Sequence, residues 1–202
     1  RSVGLNNDMQ VVAYDRQGAN YCGRLWWMIK WCGHDAVAVL DGGFQAWQQS
    51  GGAITRGIEA PRPEGNFALS TPLVNWRSTA EVAAQLGRPE QTLIDARAPA
   101  RFRGETEPLD PVAGHIPGAL NRPNTENLQD DGRFRSPDVL KREFDLLLAG
   151  RSPKDIVHQC GSGITACHNL LAMELAGARG SRLYAGSWSE WCADPARPGA
   201  VG

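Results

Sequence analysis

The apolar residues of this chain occur in short runs that alternate with longer stretches of helical periodicity. Runs of four or five residues rich in Val, Ile and Leu are typical of buried strands, and we predict strands at residues 11–14, 36–40, 92–95 and 155–159. Apolar positions that recur every three or four residues predict helices, at residues 21–32, 78–87, 136–148 and 164–175. We expect the first of these helices to be buried. Short apolar strands that alternate with helices indicate an α/β fold with a parallel sheet.

One strand–loop–helix pattern occurs near both ends of the chain. Val12–Asp15 matches Val157–Cys160, and each is followed by a glycine-bearing loop and an apolar helix. At nearly the same distance further on, residues 41–47 match residues 185–191. Such a repeat indicates two copies of one α/β unit.

We divide the chain into a first unit, a linker and a second unit, at residues 1–57, 58–72 and 73–202. The linker carries prolines, glycine and charges without periodicity, which is typical of a connecting segment. The first unit has no counterpart of residues 73–150, so we expect the chain to begin inside a domain. The sequence therefore predicts tandem domains, of which the first is incomplete in this chain.

Composition limits the partners, cofactors and cellular compartments that we expect for this chain. The 202 residues carry a formal net charge of −1, and neither this charge nor any apolar run favours nucleic acid or a membrane as partner. The five cysteines lack the paired spacing of metal ligands, so we expect no metal site. We expect no organic cofactor either. Free thiols are typical of a reducing compartment, which predicts a cytoplasmic protein.

The loop after Cys160 is the best candidate for chemistry. Cys160 follows a strand that ends at Gln159 and precedes a helix, in a loop with glycines at 161 and 163. Because glycine adopts backbone angles closed to other residues, the loop can curl until several N–H groups point at the sulfur. The positive end of the helix dipole adds to this field, which favours a thiolate. The first unit has Asp15 at this position, so only the second unit can form one.

Four short motifs follow one another in the second unit: Asp95-Ala96-Arg97, Gly114-His115-Ile116-Pro117-Gly118-Ala119, Cys160-Gly161-Ser162-Gly163-Ile164-Thr165-Ala166 and Gly186-Ser187-Trp188-Ser189-Glu190-Trp191. Together they resemble the rhodanese superfamily in its tandem-domain form. The resemblance covers residues 73–194 as a whole copy and residues 1–57 as the latter half of an inactive one. It implies a rhodanese-like parallel sheet flanked by helices.

The resemblance also implies an activity and a set of site residues. In a sulfurtransferase of this family, Cys160 would take a sulfur atom from a small donor as a persulfide, assisted by Ser162, and pass it to cyanide or a thiol, with thioredoxin as one candidate. The residues implied to bind the substrate are Arg101, Arg103, Gly161, Gly163, Ile164 and Thr165. The neutral loop is similar to that of 3-mercaptopyruvate sulfurtransferases, in which arginines hold the donor's carboxylate, and a planar guanidinium suits that role.

One position departs from the family pattern. Leu109 stands where a second substrate arginine is expected, and Arg103 or Arg122 could take over its role. A thiosulfate:cyanide sulfurtransferase and a non-catalytic rhodanese-like binding module stay open as alternatives. A cysteine phosphatase is a poor alternative, because it needs an arginine six residues after the cysteine to hold phosphate, and Ala166 stands there.

Other reactive side chains near the loop are interpreted as structural. We expect His115 to hydrogen-bond the backbone and so fix its turn, and His158 and His168 to pack in the core rather than pair with the catalytic cysteine. We expect Arg97 to anchor the end of its strand through an ion pair. Cys167 is interpreted as a small core residue rather than a disulfide partner.

Overall fold

The computed structural model describes residues 1–202. Two short 3-10 turns, at 124–127 and 153–155, accompany the regular elements. In chain order these elements are β1 (Val11–Ala13), α1 (Cys22–Trp31), β2 (Val37–Val39), α2 (Gly43–Gln49), β3 (Asn75–Arg77), α3 (Thr79–Ala84), β4 (Thr92–Asp95), α4 (Pro99–Phe102), β5 (Leu120–Asn121), α5 (Pro137–Leu148), β6 (Ile156–Gln159), α6 (Ala166–Leu175), β7 (Arg182–Tyr184) and α7 (Ser187–Cys192). None of the helices has the length and apolar character needed to span a membrane.

All the strands belong to two parallel sheets. The larger sheet has the order β3-β7-β6-β4-β5, and the smaller one pairs β1 with β2. In the larger sheet, Thr92–Asp95 pairs residue for residue with Ile156–Gln159. The predicted α/β fold with a parallel sheet is confirmed. Because β6 is the central strand, the residue that follows it lies at the middle of the carboxyl edge, where open parallel sheets bind their ligands.

Two apolar layers cover the two faces of the larger sheet. Ile156 joins one buried cluster and Val157 the other, and Leu183 and Tyr184 divide in the same way, as expected when successive strand residues point to opposite faces. One layer holds side chains of α5 and α6, and the other holds side chains of α3, α4 and α7. The first layer also contains Trp27 of α1, so the two units share a core.

Local sequence signals set the starts of two helices beside the sheet. The Oγ of Ser78 accepts the backbone N–H of Glu81, and the Glu81 carboxylate accepts the backbone N–H of Ser78 (2.8 Å), which together cap α3. Pro137 stands in the first turn of α5, where its missing N–H has no helical partner to lose. The buried face of that helix is formed by Leu140, Phe144 and Leu148.

The first unit is less buried than its sequence pattern predicts. Val12 and Tyr14 of the first strand region are 52% and 59% exposed, and Leu25 and Met28 of α1 are 46% and 44% exposed. Since β1 pairs only with β2, alternate side chains of this strand and one face of α1 point to solvent instead of to a second layer. The prediction of a buried strand and a buried helix is therefore wrong for these four residues.

Residues 58–72 form no helix or strand and run along the first unit. The N–H of Gly65 donates to the carbonyl of Arg1 (3.0 Å), and the N–H of Ser70 donates to the carbonyl of Cys32 (3.0 Å). The segment that we predicted as a linker is thus fixed to the first unit by its backbone.

Two strands of the larger sheet carry no clear sequence signal. β3 and β7 are only three residues long, which is too short for a periodic pattern. β3 also lies at the edge of the sheet and has no buried residue, and edge strands do not need a continuous apolar run. The sequence analysis predicted neither strand.

Candidate active site

Cys160 follows β6 directly and is held by its backbone at the carboxyl edge of the larger sheet. Its side chain is 2% exposed. The N–H of Cys160 donates to Oγ of Ser187 (3.1 Å), and its carbonyl accepts the N–H of Trp188 (3.0 Å). Ser187 is buried and donates its hydroxyl to the carbonyl of Tyr184 (2.9 Å). The cysteine is therefore fixed between the central strand and the start of α7.

The loop turns at Gly163. This residue has a φ of +74°, in the left-handed region that favours glycine. A Cβ at this position would lie 2.4 Å from the carbonyl oxygen of Ala185. Backbone conformation and lack of space thus both exclude a side chain. α6 begins three residues later, at Ala166, so its positive end lies beside the loop.

The loop leaves a row of backbone donors without partners. None of the N–H groups of residues 161–165 donates a hydrogen bond to another group of the chain. Buried N–H groups in folded proteins nearly always find an acceptor in the chain or in water, and a row of N–H groups left free by the chain beside a cleft is typical of an anion-binding loop. Ser162 is exposed, and Ile164 and Thr165 are partly buried. The loop residues predicted from the sequence are therefore brought together beside Cys160.

A cleft of about 380 Å³ opens over this loop. Its lining includes Cys160 and its neighbours, residues 96–98, and Arg101. Asn20 and Tyr21 of the first unit also line it. The cleft is thus shared by the two units.

Arg101 supplies a cation to the cleft. Its guanidinium nitrogens lie 3.6 Å from the point that a Cβ on Gly161 would occupy. Its Nη2 donates to Glu107 (2.6 Å) and to Asp110 (3.2 Å), whereas its Nη1 has no hydrogen-bond partner in the chain. Burial alone would raise the pKa of Glu107, but hydrogen bonds from Arg101 and from the backbone N–H groups of Leu109 and Asp110 lower it. The carboxylates therefore hold Arg101 in place and leave one nitrogen for a ligand.

Arg97 is buried and anchors the end of β4, as predicted. Its Nη2 donates to the Asp95 carboxylate (2.8 Å) and to the carbonyl of Gly114 (2.7 Å). Its guanidinium also lies over the ring of Trp188, 5.2 Å from the centroid. Arg97 thus joins the strand end to the Gly114 turn.

Neither Arg103 nor Arg122 lines the cleft. Arg103 is about half exposed and pairs with Glu105 (2.6 Å). Arg122 is buried and pairs with Glu143 (2.5 Å). Arg103 is only two residues from Arg101, and side chains two residues apart in a helical turn do not face the same side. The structure therefore brings neither residue to the place of the missing second arginine.

Two histidines and Cys167 are buried and engaged in the core. Burial lowers the pKa of His158 to about 3, and its Nε2 lies 3.0 Å from Sδ of Met173. His115 donates from Nδ1 to the carbonyl of Phe102 (2.7 Å) and stacks on the ring of that residue. Burial raises the pKa of Cys167 to about 12, so this thiol stays protonated. The structural interpretation of these three residues is confirmed.

The corresponding loop of the first unit encloses a carboxylate of the chain itself. The Asp15 carboxylate accepts four backbone N–H groups at 2.8–3.0 Å, from Gln17, Ala19, Tyr21 and Cys22. Burial alone would raise the pKa of Asp15, but these four bonds lower it. A wider depression of about 910 Å³ lies over this loop, and no cysteine lines it. The repeat in the sequence predicts where Asp15 stands, but not that the loop closes on its side chain.

Comparison with models of protein families shows which family the chain matches. The Rhodanese-like domain matches residues 1–50 and 78–194. The chain belongs to the rhodanese family. The two matched segments of this rhodanese lie in the two units, in agreement with the repeat.

Similar proteins include sulfurtransferases named for two donors. A protein of Pseudomonas aeruginosa named "Probable 3-mercaptopyruvate sulfurtransferase" is 51% identical to this rhodanese over 200 residues, which are 98% of this chain and 70% of that protein. The thiosulfate sulfurtransferase of Bos taurus is 37% identical, over 94% of this chain and 65% of its own length. The crystal structure of SseA from Escherichia coli, described with the rhodanese fold of 3-mercaptopyruvate sulfotransferases, has a TM-score of 0.77 at 34% identity, over 94% of this chain and 70% of SseA.

Proposed function

We propose that this rhodanese is a sulfurtransferase that moves a sulfur atom from 3-mercaptopyruvate, through a persulfide on Cys160, to a thiol or cyanide. One observation carries the proposal: a buried cysteine at the carboxyl edge of the sheet adjoins a row of backbone N–H groups that have no acceptor in the chain. A non-catalytic binding module has no need of both features together.

The loop is suited to hold a negatively charged sulfur. Its five N–H groups, at residues 161–165, have no acceptor in the chain, and α6 begins directly after them. We assign the positive ends of these dipoles to the sulfur of Cys160. Such an environment favours the thiolate over the thiol. We assign the same donors to the persulfide anion that forms after transfer.

The reaction consists of two displacements at sulfur. In the first, the Cys160 thiolate attacks the donor's sulfur, an S–S bond forms and the donor's C–S bond breaks. The electron pair of that bond stays on the product as the enolate of pyruvate, which then takes up a proton, and we assign Ser162 to its oxygen as a hydrogen-bond donor. In the second, a thiolate or cyanide attacks the outer sulfur, the S–S bond breaks, and Cys160 leaves as a thiolate.

Arg101 is the residue that we assign to the donor's carboxylate. It lines the cleft, and its free Nη1 can donate to a carboxylate oxygen while Glu107 and Asp110 fix the rest of the guanidinium. Leu109 is 78% exposed and offers no charge where a second arginine is expected. Recognition of the carboxylate therefore depends on this one arginine.

Thiosulfate is the second candidate donor. Leu109 removes one of the two charges that favour mercaptopyruvate, and the bovine relative is named for thiosulfate. Against this alternative, residues 161–165 contain no basic side chain, although thiosulfate is a dianion.

Small thiols are the acceptors that fit a cleft of this size, and thioredoxin is the protein thiol to test beside them. All five cysteines are free thiols, which is typical of proteins in a reducing compartment. This supports the cytoplasm as the proposed location.

The test measures sulfur transfer to cyanide from each donor, together with mass spectrometry of the Cys160 peptide after each donor is added alone. The expected result is one added sulfur atom on Cys160 and faster turnover with 3-mercaptopyruvate than with thiosulfate. Faster turnover with thiosulfate would overturn the assignment of the donor. If neither donor loads the cysteine, the non-catalytic module replaces the proposal.

A further inference from the structure

Two hydrogen bonds between the units mirror each other: in each, a side chain of one unit donates to a glycine carbonyl of the other. His168, the third residue of α6, donates from Nε2 to the carbonyl of Gly18 in the first unit (2.9 Å). Arg24, the third residue of α1, donates from Nη1 to the carbonyl of Gly163 in the second unit (3.3 Å). Each glycine lies three residues after the aspartate or cysteine that opens its loop, and the two φ angles are +63° and +74°. The internal repeat thus relates the two contacts to each other.

The first unit shows what such a contact does. The carbonyl of Gly18 is held by His168, and the N–H of the same peptide, on Ala19, donates to the Asp15 carboxylate (3.0 Å). Because a trans peptide points its C=O and N–H in opposite directions, a donor that holds the carbonyl aims the N–H into the loop. Burial lowers the pKa of His168 to about 4, so the ring is neutral, with Nδ1 accepting from Asn127 and Nε2–H kept for the carbonyl.

We propose that Arg24 is a positioning residue for sulfur transfer: it holds the carbonyl of Gly163 away from the cleft and so aims the N–H of Ile164 at the catalytic sulfur. Ile164 lines the cleft and Gly163 does not, as this orientation of the peptide requires. The inference rests on the proposed function only in taking the sulfur of Cys160 as the anion that receives the N–H.

Arg24 is itself fixed by its neighbours. Its guanidinium lies over the ring of Trp27, 5.2 Å from the centroid, and its Nη1 is 3.9 Å from Sγ of Cys167. The thiol of Cys167, which burial keeps protonated, donates to the same Gly163 carbonyl (3.5 Å). Two donors, one from each unit, thus hold this carbonyl.

Arg24 does not line the cleft, so it has no role in binding the donor. The charged side chains that do line it are Arg97, Arg101 and Asp110, and a substitution on α1 leaves all three in place. A positioning role therefore predicts a change in the reactivity of Cys160 without a change in the affinity for the donor.

The experiment compares Arg24→Met with Arg24→Lys in the full chain. Met keeps an unbranched stem against Trp27 and removes the donor, whereas Lys restores a donor. The rate at which iodoacetamide alkylates Cys160 is followed against pH by peptide mass spectrometry. For Arg24→Met we expect the pH of half-reaction to rise by about one unit and sulfur loading below that pH to fall about tenfold, with KM for the donor unchanged. Arg24→Lys is expected to recover most of this loss.

A matched control and a salt series separate position from charge. Arg16→Met removes another arginine of the first unit that lies over an aromatic ring, that of Phe44 at 4.4 Å, and should leave the profile unchanged. The Arg24→Met shift should persist in 1 M KCl, where the Debye length is about 3 Å and interactions between solvent-exposed charges are screened. Arg24→Leu, which likewise has no donor, replaces the Met variant if circular dichroism shows that the latter is unfolded.

Three results would overturn the inference: an unchanged alkylation profile, a shift that disappears in 1 M KCl, or a rise in KM as large as the fall in loading rate. Alkylation needs no sulfur donor. A failure of the proposed function, seen as a cysteine that no donor loads in the unmodified protein, is therefore distinguishable from a failure of the role of Arg24.

Discussion

The loops that follow β1 and β6 are anchored by the same backbone hydrogen bond but differ in whether their N–H groups have an acceptor in the chain. The N–H of Phe44 donates to the carbonyl of Asp15 at 3.0 Å, and the N–H of Trp188 donates to the carbonyl of Cys160 at the same distance. The carboxylate of Asp15 accepts four N–H groups of its own loop, whereas those of residues 161–165 have no acceptor in the chain. A carboxylate closes the first loop, and a cysteine leaves the second open.

This difference separates stability from chemistry within one repeated unit. Hydrogen bonds to a charged group are among the stronger ones in a folded protein, at about 1.5–3 kcal/mol each. In the first loop, the hydrogen bonds to the Asp15 carboxylate serve only the stability of the fold. The second loop keeps its donors free of acceptors in the chain, so they are available for an anion that forms during a reaction. Departures from local consistency of this kind are expected at functional sites.

The largest effect should come from exchanging the residue that opens the second loop. Cys160→Asp gives this loop the carboxylate that the first unit has, so its N–H groups acquire an acceptor. We expect sulfur transfer to fall by more than about 10³-fold, because the nucleophile is lost, and the thermal midpoint to equal or exceed that of the unmodified protein. Turnover with both donors and differential scanning calorimetry measure the two effects.

Cys160→Ser is the matched variant for this exchange. It loses the activity as well, but a neutral hydroxyl cannot engage several donors as a carboxylate does, so its thermal midpoint should be the lower of the two. Cys32→Ser, far along the chain in the first unit, should keep full activity. If the Asp variant melts below the Ser variant, the two loops are not interchangeable and the comparison between them fails.

The second-largest effect is expected at Arg101, the cation that faces the second loop and has no counterpart in the comparison with the first. Arg101→Ala should raise KM for 3-mercaptopyruvate by about 10- to 100-fold, the range of one lost charge-assisted hydrogen bond. The effect on thiosulfate should be smaller, because that donor has no carboxylate. Arg103→Ala, a substitution of an arginine outside the cleft, should change either KM by less than about twofold. Steady-state kinetics that show equal effects on both donors would remove Arg101 from carboxylate recognition.

The local parts of both loops could be predicted from the sequence. A β-branched strand, a cysteine, glycines at 161 and 163 and an apolar helix lie next to one another in the chain, and short-range patterns of this kind specify short-range structure. The repeat placed Asp15 opposite Cys160, and the motifs indicated the family, which the comparisons confirm. The parallel sheet was predictable for the same reason.

Contacts between distant segments could not be predicted. Arg24 and Gly163 are 139 residues apart, and nothing in the sequence around either residue indicates that they meet. The sequence also nominated both Arg101 and Arg103, because a motif does not show which side of a short helical turn each side chain occupies. The exposure of Val12 was missed for a related reason: burial depends on which elements cover a face, not on the residues of that face alone.

Asp15→Asn tests the closed loop of the first unit. At neutral pH the variant should lose about 2 kcal/mol of unfolding free energy, since four N–H groups lose a charged acceptor. The pKa of Asp15 is lowered from its ordinary value of 3.8, so its contribution is complete above that value and is lost as the pH falls through the folded-state pKa. Urea unfolding followed by tryptophan fluorescence should therefore show a difference at pH 7 that shrinks in acid. A difference independent of pH would mean that shape, not charge, closes the loop.

The smallest effect is expected at the serine that holds the backbone of Cys160. Ser187 and its counterpart in the first unit, Gly43, both have positive φ angles, +55° and +59°. Ser187 keeps this conformation because its hydroxyl accepts the N–H of Cys160 and donates to the carbonyl of Tyr184. Ser187→Gly relieves the strain of the positive φ but leaves the buried N–H of Cys160 without an acceptor. The two effects should partly offset each other, to a net loss of about 1 kcal/mol of unfolding free energy.

Ser187→Ala is the matched variant, because it removes the hydroxyl and retains the strained backbone. Its loss should be larger, about 2 kcal/mol, and urea unfolding of the two variants side by side measures the difference. Equal losses would show that the positive φ carries no strain at this position. If Ser187→Gly is as stable as the unmodified protein, a glycine at this position is sufficient in the second unit, as Gly43 is in the first. The Ser187 hydroxyl then positions Cys160 and does not stabilise the fold.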